Sequence, residues 1–338
     1  MSAFQISHIM KFMTASALTL ALSSTLLANL SAAATPTEYL DYPKLLEEQR
    51  NWAGLSTKTV HVSNITWTYS EGGSKDKPTL LLIHGLDSNR DSWNEVARSL
   101  TKQYHVIVPD LPGSGNTKAP LNFDFSIPNL SEELRFFVET LRIQNKLNIA
   151  GHSLGGSIAM FYASQYTLDT KSLFLMGASG LFQNNHTQYT KNPIYLKQLV
   201  VSQPGDLNFV MKKAMVNQPF VPEVRLKQQE QQLIAQSGDT SKLINEVFKL
   251  NHQYTVASFR NLLKSIDAPT LILWGKQDQI VNFEVASEIK SSIRHAQQPI
   301  ILNNVGHMPI LEAPQRVTES YLDFLSKIQY QNNVAAKH

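Results

Sequence analysis

The sequence predicts an α/β fold, with a mostly parallel central sheet, helices on both faces of the sheet and a helical insertion that caps the strand ends. The first observation is a set of short, continuous apolar runs, as expected of strands buried on both faces. These runs are Thr79–Ile83, His105–Val108, Leu147–Ala150, Ser172–Met176, Thr270–Trp274 and Pro299–Leu302. The second observation is that helix-like segments alternate with these runs, which favours parallel strands joined by helices.

The other elements follow in chain order. Residues 39–53 have the pattern of an amphipathic helix, and residues 57–70 alternate apolar and polar side chains, which predicts two antiparallel strands. Helices are predicted over Ser92–Leu100, Leu130–Ile143, from Leu154 onward, Phe283–Ile293 and Pro314–Ile328.

Residues 180–265 break the alternation of strands and helices. This stretch is rich in Gln, Lys and Asn and contains no buried-strand run. Its apolar residues, as in Val216–Phe220 and Leu243–Phe248, fall at helical spacing. We interpret it as a helical cap inserted between two parts of one core, residues 35–179 and 266–330, with 331–338 as a tail. The alternative is a separate interaction domain.

Composition limits the classes of function. The 338 residues are 42% hydrophobic and 17% charged, which suits one large globular domain with an insertion. The net charge is only +3, and no basic stripe is interleaved with aromatic residues, so no nucleic-acid partner is predicted. The absence of cysteine excludes disulfides, thiolate metal sites and a cysteine nucleophile. No obligate protein partner is implied.

Residues 1–34 have the pattern of a secretory signal peptide. Lys11 is their only charged residue, an apolar stretch follows it, and the segment ends in a run of small residues at Ala34. We therefore expect cleavage after Ala34 and export, with a secreted, periplasmic or cell-surface product. The alternative is an uncleaved membrane anchor, although polar residues interrupt the apolar stretch.

Residues 151–155 read Gly-His-Ser-Leu-Gly directly after an apolar run. This pattern is typical of a strand that turns sharply into a helix with a serine at the tip of the turn. Such a turn pushes the serine hydroxyl out at the sheet edge, where it can act as a nucleophile. Ser153 is the predicted nucleophile; the alternative is a glycine-rich helix start in another α/β protein.

A serine nucleophile needs a base within hydrogen-bond reach and an acid that orients the base. Asp278 follows the run that ends at Trp274, and His307 follows the run that ends at Leu302. Both therefore lie at the same sheet edge as Ser153, in the chain order Ser, Asp, His. Other readings are a packing role for His307, and Asp267 or Asp110 as the acid. Asp267 precedes its strand, and Asp110 lies in a loop where a bracing role is favoured.

Two backbone N–H groups are expected to stabilise the oxyanion that the attack produces. One belongs to Leu154, the residue after the nucleophile. The other is assigned to Leu86, in the His84-Gly85-Leu86 loop that follows the Thr79–Ile83 strand. A plain tight turn is the alternative for this loop.

Together these residues resemble the α/β-hydrolase family across essentially all of the chain after the leader. The matching pieces are His84-Gly85, Asp110-x-Pro112-Gly113-x-Gly115, Gly151 to Gly156, Trp274-Gly275-x-x-Asp278 and Gly306-His307. Within that family the chain is similar to bacterial family V lipases and to capped hydrolases of the monoacylglycerol-lipase type. The resemblance implies hydrolysis of acylglycerol esters without a cofactor or metal.

The acyl chain of such a substrate needs an apolar pocket under the cap. The candidate walls are Leu86, Leu154, Leu181, Phe182, Ile280 and Met308, each of which could equally be an ordinary core residue. The expected partner is a small-molecule or lipid ester, with a transient contact to a lipid interface. Two alternatives to ester hydrolysis stay open. One is another serine-triad reaction, such as perhydrolysis, C–C bond hydrolysis or thioester cleavage, and the other is a non-catalytic binding protein.

Overall fold

The computed structural model describes residues 42–143 and 145–335. The predicted signal peptide, residues 1–34, lies outside this part, as do the last three residues of the predicted tail. By their contacts, the described residues from Leu46 onward form one compact unit, and Tyr42–Leu45 are assigned outside it. Within the described ranges, no helix is both long and apolar enough to cross a bilayer.

An eight-stranded sheet forms the centre of the described chain. Its strands are β1 (Leu55–Val62), β2 (Ile65–Gly72), β3 (Thr79–Ile83), β4 (His105–Pro109), β5 (Leu147–His152), β6 (Thr170–Met176), β7 (Thr270–Gly275) and β8 (Ile300–Leu302). The spatial order is β1-β2-β4-β3-β5-β6-β7-β8. Strand β2 is antiparallel to both of its neighbours, and all pairs from β4 to β8 are parallel. The carboxyl ends of β3 and of β5 to β8 therefore share one edge.

Twelve α-helices accompany these strands in the described residues. They are α1 (Tyr42–Trp52), α2 (Asn94–Leu100), α3 (Ile127–Thr140), α4 (Leu154–Gln165), α5 (Gln188–Lys191), α6 (Pro193–Lys197), α7 (Asp206–Ala214), α8 (Glu223–Gln253), α9 (Val256–Lys264), α10 (Val285–Ser292), α11 (Pro309–Glu312) and α12 (Pro314–Ala335). A short 3₁₀ helix, Arg90–Trp93, precedes α2. Residues 180–265, called the insertion below, contain α5 to α9.

Alternate side chains of the buried strands pack on opposite faces of the sheet, because successive residues of a strand point in opposite directions. Leu81 and Ile149 contribute to a core on one face, together with side chains of α3, α4, α9 and α10. Leu80 and Ala150 contribute to the core on the other face, with side chains of α2 and α12. The sheet is therefore covered on both sides, and the fold class predicted from the apolar runs is confirmed.

Several element boundaries differ from the prediction. Helix α3 begins and ends three residues earlier than the pattern indicated, and α12 extends to Ala335. The helical interpretation of Val216–Phe220 is wrong, because α7 ends at Ala214 and no helix resumes before Glu223. Pro219 lacks the N–H that a helix interior requires. The N–H groups of Val216 and Asn217 instead donate to the Glu312 carboxylate, at 2.7 and 3.0 Å.

Candidate active site

Ser153 lies in the sharp turn between β5 and α4. Its φ of 54° and ψ of −119° place it in a region that costs energy for a residue with a side chain. A Cβ at Gly151 would collide with the Gly155 carbonyl, and a Cβ at Gly155 would collide with the Ile83 carbonyl. The Ser153 N–H donates to the Met176 carbonyl oxygen at 2.9 Å. The pentad therefore holds the serine at the carboxyl edge of the sheet, and both glycines are needed for the turn.

The three residues predicted as a triad meet in the order expected for nucleophile, base and acid. The His307 Nε2 lies 2.9 Å from the Ser153 Oγ, and the His307 Nδ1 lies 2.8 Å from the Asp278 Oδ2. The other oxygen of Asp278 accepts the N–H groups of Ile280 and Val281, at 2.8 and 2.9 Å. An Nδ1–H that donates to the carboxylate leaves Nε2 free to accept the serine hydroxyl proton.

The predicted base and acid of this group are both shielded from water. The side chain of His307 is 7% exposed and that of Asp278 is 0% exposed. Low polarity around the pair strengthens the interaction between the imidazole and the carboxylate. Ser153 is partly exposed, so the hydroxyl remains accessible while its partners are buried.

The two alternative acids lie elsewhere. Buried Asp110 forms an ion pair with the Arg90 guanidinium and also accepts the N–H groups of Arg90 and Asn116, each at 2.8 Å. Asp267 has an 80% exposed side chain 3.4 Å from His295. In the described part of the chain neither carboxylate bonds to His307. No group of three or more His, Asp or Glu side chains there could hold a metal ion.

The backbone N–H groups assigned to the oxyanion are both available. Neither Leu86 N–H nor Leu154 N–H donates to any described residue. A Cβ placed at Gly85 would lie 3.1 Å from the Ser153 Cβ, so the loop backbone adjoins the nucleophile. His84 fixes this loop, because its Nδ1–H donates to the Gly85 carbonyl at 2.8 Å and its Nε2 accepts the Leu111 N–H at 3.0 Å. Burial lowers the pKa of His84, which keeps this ring neutral.

Comparison with known proteins places this arrangement in a family. The family model described as alpha/beta hydrolase fold matches residues 78–204. A candidate lipase of known structure, lip1 from Acinetobacter baumannii AYE, is 54% identical in sequence. The match covers 88% of this chain and 100% of that chain, with a TM-score of 0.87. The chain belongs to the alpha/beta hydrolase fold family.

Two further relatives of this hydrolase have names of the same kind. Lipase 1 of Psychrobacter immobilis is 28% identical over 85% of this chain and 90% of its own length. Monoacylglycerol lipase ABHD6 of Homo sapiens is 28% identical over 84% of this chain and 86% of its own length. Its similarity to these relatives and to lip1 shows that the chain is a hydrolase of the lipase and esterase type.

The predicted apolar walls of the hydrolase lie near the triad loops or at the start of the insertion. Ile280 is buried and directly follows the Asp278 turn, whereas Met308 is partly exposed beside His307. Phe182 is buried and packs edge-to-face on Phe259 of α9, with ring centroids 5.4 Å apart. Leu181 is partly buried against the same core. Their contact with substrate stays a prediction.

Sequence reasoning missed three side chains that hold the catalytic loops. His152 Nε2 donates to the His307 carbonyl oxygen at 2.6 Å. Glu312 accepts the Gly306 N–H at 2.9 Å, and Asp87 links the oxyanion loop to the insertion. Each is adjacent to a predicted site residue or follows it by a few positions, and that proximity was the available signal.

Proposed function

We propose that this hydrolase is an exported serine ester hydrolase that cleaves acylglycerols or related carboxylic esters through an acyl-serine intermediate. The observation that carries the proposal is the continuous set of hydrogen bonds from Ser153 through His307 to Asp278. A serine hydroxyl becomes a useful nucleophile when an oriented base takes its proton, and this geometry supplies the base and its orientation.

In the proposed reaction, Ser153 Oγ attacks the ester carbonyl carbon while its proton passes to His307 Nε2. The Leu86 and Leu154 N–H groups stabilise the oxyanion, and the Asp278 carboxylate stabilises the imidazolium. His307 then gives the proton to the departing alcohol oxygen as the C–O bond breaks. Water attacks the acyl-serine by the same route, with His307 as base, and releases the acid and the free serine. No cofactor takes part in these steps.

A lipid ester as substrate is supported by the relatives' names and by the surface of the insertion. Most of the large apolar side chains that are exposed in the described part belong to the insertion: Ile194, Tyr195, Phe209, Val216, Phe220, Val224 and Val256. Lysines lie on the same helices, such as Lys197 on α6 and Lys212 on α7. We propose that this surface makes transient contact with a lipid interface, because apolar side chains leave water there and cations attract anionic headgroups.

Export is proposed from the leader pattern of residues 1–34. The test is to express the full chain and to recover it from the periplasm or the medium. Intact mass spectrometry should show a chain that starts at Thr35. A full-length chain that sediments with the membrane would support the anchor instead.

The catalytic proposal is tested with p-nitrophenyl esters from C2 to C16, monoolein and triolein. The wild type should hydrolyse esters, and Ser153→Ala should lower kcat by at least about 1,000-fold with an unchanged fold by circular dichroism. A fluorophosphonate should label the wild type at Ser153 alone. Retention of most ester hydrolysis by Ser153→Ala contradicts the assignment, and a wild type that resists the label favours a binding protein.

The assignment of the acid is tested separately with Asp278→Asn and Asp267→Asn. Loss of the Asp278 carboxylate disfavours the required tautomer of His307 and should lower kcat by about 1,000-fold or more. The Asp267 variant changes the same charge at an exposed site and should stay within about twofold of the wild type. The reverse order of effects would assign the acid to Asp267.

A further inference from the structure

Asp87 connects the oxyanion loop to the insertion. It directly follows Leu86, and its backbone has a left-handed φ of 51°. Its Oδ2 accepts the Val201 N–H at 3.0 Å, and its Oδ1 lies within hydrogen-bond distance of the Thr240 hydroxyl oxygen, at 3.4 Å. Val201 lies between α6 and α7, and Thr240 lies on α8. One carboxyl group therefore contacts two separate parts of the insertion.

The other hydrogen bonds of this loop are local or with the core. His84 bonds to the Leu111 N–H, and Arg90, at the end of the loop, bonds to Asp110. Among the described hydrogen bonds, those that join residues 84–89 to the insertion all involve Asp87. Among these hydrogen bonds, Asp87 is thus the residue through which a displacement of the insertion reaches the loop of Leu86.

We propose that Asp87 is a positioning residue that couples the placement of the insertion to the geometry of the Leu86 oxyanion donor. The inference rests on the proposed ester hydrolysis for its kinetic part. An oxyanion donor acts only within a narrow range of distance and angle, so a small shift of Leu86 costs rate. Substrate that moves the insertion would in this way also complete or disturb the oxyanion site.

The surroundings of Asp87 favour the uncharged acid. Burial raises the pKa of the Asp87 carboxyl to about 7, and the negative charge of Asp206 on α7 adds to the rise. No cation in the described part pairs with Asp87, since Arg90 is paired with Asp110 and α8 presents the hydroxyl of Thr240. A charge that appears here above pH 7 lies one residue from the oxyanion donor and should oppose the negative charge of the transition state.

Four variants distinguish the effect of the Asp87 hydrogen bonds to the insertion from the effect of the Asp87 charge. Asp87→Ala removes both hydrogen bonds to the insertion. Asp87→Asn keeps an acceptor for Val201 and a partner for Thr240, and asparagine also tolerates the left-handed backbone, but its side chain cannot ionise. Thr240→Val removes one of the two bonds without a change in the loop. Glu230→Gln is the matched control, because Glu230 accepts the N–H groups of Gly205 and Leu207 near Val201 but contacts no catalytic loop.

Two readouts are measured for each variant. The first is kcat and KM for a soluble p-nitrophenyl ester between pH 5.5 and 9. The second is amide hydrogen exchange of peptides that cover residues 84–90, which needs no catalysis. Asp87→Ala should lower kcat by about tenfold or more, with KM within about threefold, and should speed exchange at 84–90. Thr240→Val should lie between Asp87→Ala and the wild type, and Glu230→Gln should match the wild type in both readouts.

Asp87→Asn should restore kcat near pH 6 to within about threefold of the wild type. Its kcat relative to the wild type should rise by at least about threefold between pH 6 and pH 8.5, as wild-type Asp87 ionises. This ratio cancels the ionisations that both proteins share. A merely structural role for Asp87 would leave the ratio flat.

The inference is overturned if Asp87→Ala keeps kcat within about twofold and leaves exchange at 84–90 unchanged. It is also overturned if Glu230→Gln loses as much as Asp87→Ala, or if the Asp87→Asn ratio is independent of pH. Failure of the proposed function is distinguishable, because Ser153→Ala would then keep the ester hydrolysis. In that case the exchange comparison between Asp87→Ala and Glu230→Gln still decides the coupling.

Discussion

His152 donates its Nε2–H to the backbone carbonyl oxygen of His307 at 2.6 Å, and the two rings lie 5.0 Å apart. The residue before the nucleophile therefore holds the proposed base. Burial lowers the pKa of His152 to about 3, and the neighbouring His307 adds to the effect. The ring is neutral at ordinary pH, with its single N–H used in this bond.

We predict that His152→Phe lowers kcat by about tenfold. Phenylalanine keeps a ring of similar size but leaves the His307 carbonyl without a donor, so the backbone of the base is less well fixed. The lost bond should also cost about 1–3 kcal/mol in the free energy of unfolding. Steady-state kinetics and urea unfolding measure the two effects.

His152→Gln is the control, because its amide can donate to the same carbonyl oxygen. It should recover most of the kcat that His152→Phe loses. Equal kcat values for the phenylalanine variant and the wild type would contradict the positioning role. Equal losses in both variants would indicate that the imidazole itself, rather than its N–H, is required.

His152 and Asp87 should change the free energy of unfolding with opposite signs as pH rises. His152 is neutral in the folded protein but accepts a proton near pH 6.5 in the unfolded chain. Its contribution to the free energy of unfolding is therefore lost as pH falls from about 6.5 towards 3. Asp87 holds its proton up to about pH 7 when folded but releases it near pH 4 when unfolded. Its contribution is therefore lost as pH rises from about 4 to 7.

Urea unfolding between pH 4.5 and 7.5 tests both signs. Relative to the wild type, His152→Gln should gain stability as pH falls, and Asp87→Asn should gain stability as pH rises. Each difference should change by at most about 1.4 kcal/mol per pH unit, the limit for one proton. Two difference curves with slopes of the same sign would refute the assignment.

The residues of the proposed triad could be placed from the sequence because each follows a buried strand. Apolar runs locate the strands of a parallel sheet, and the carboxyl ends of such strands meet at one edge. The pattern therefore predicted that Ser153, Asp278 and His307 lie close together at that edge. The absence of a helix at Val216–Phe220 was not predictable from apolar spacing, which continues across Pro219 although the helix cannot.

The positions of the supporting residues beside predicted site residues were a signal, but their contacts were not predictable, since they join segments remote in sequence. His152 and His307 are 155 residues apart, and Asp87 and Val201 are 114 apart. A carboxylate that accepts backbone N–H groups leaves no pattern in its partner, because every residue except proline offers an N–H. Only the three-dimensional structure shows which segments meet.

Glu312 illustrates such a carboxylate beside the base. Its Oε1 accepts the N–H groups of Gly306 and Met308, at 2.9 and 3.3 Å, and its Oε2 accepts those of Val216 and Asn217, at 2.7 and 3.0 Å. His307 lies between the first two donors, and its own N–H donates to the Ala214 carbonyl at 2.6 Å. Hydrogen bonds therefore connect the loop that contains His307 to the insertion.

We predict that Glu312→Gln destabilises the protein by about 1–3 kcal/mol and lowers kcat. An amide nitrogen cannot accept, so two of the four N–H groups lose their partner. Glu319→Gln removes the same charge from an exposed position of α12 and should be close to neutral in both measurements. Urea unfolding and soluble-ester kinetics compare the two, and indistinguishable variants would exclude a role for Glu312 in holding His307.

The proposed contact with lipid predicts a substrate-dependent defect for Phe220→Ser. The Phe220 side chain is 93% exposed, and its transfer from water to an apolar phase favours adsorption by about 1.5–3 kcal/mol. The variant should hydrolyse emulsified triolein at least about tenfold more slowly at limiting lipid surface and p-nitrophenyl acetate at the wild-type rate. Leu168→Ser is the control, because Leu168 is 79% exposed but precedes β6, at the sheet edge opposite Ser153. It should match the wild type on both substrates. An equal loss on both substrates for Phe220→Ser would place this residue in the active site rather than at a lipid surface.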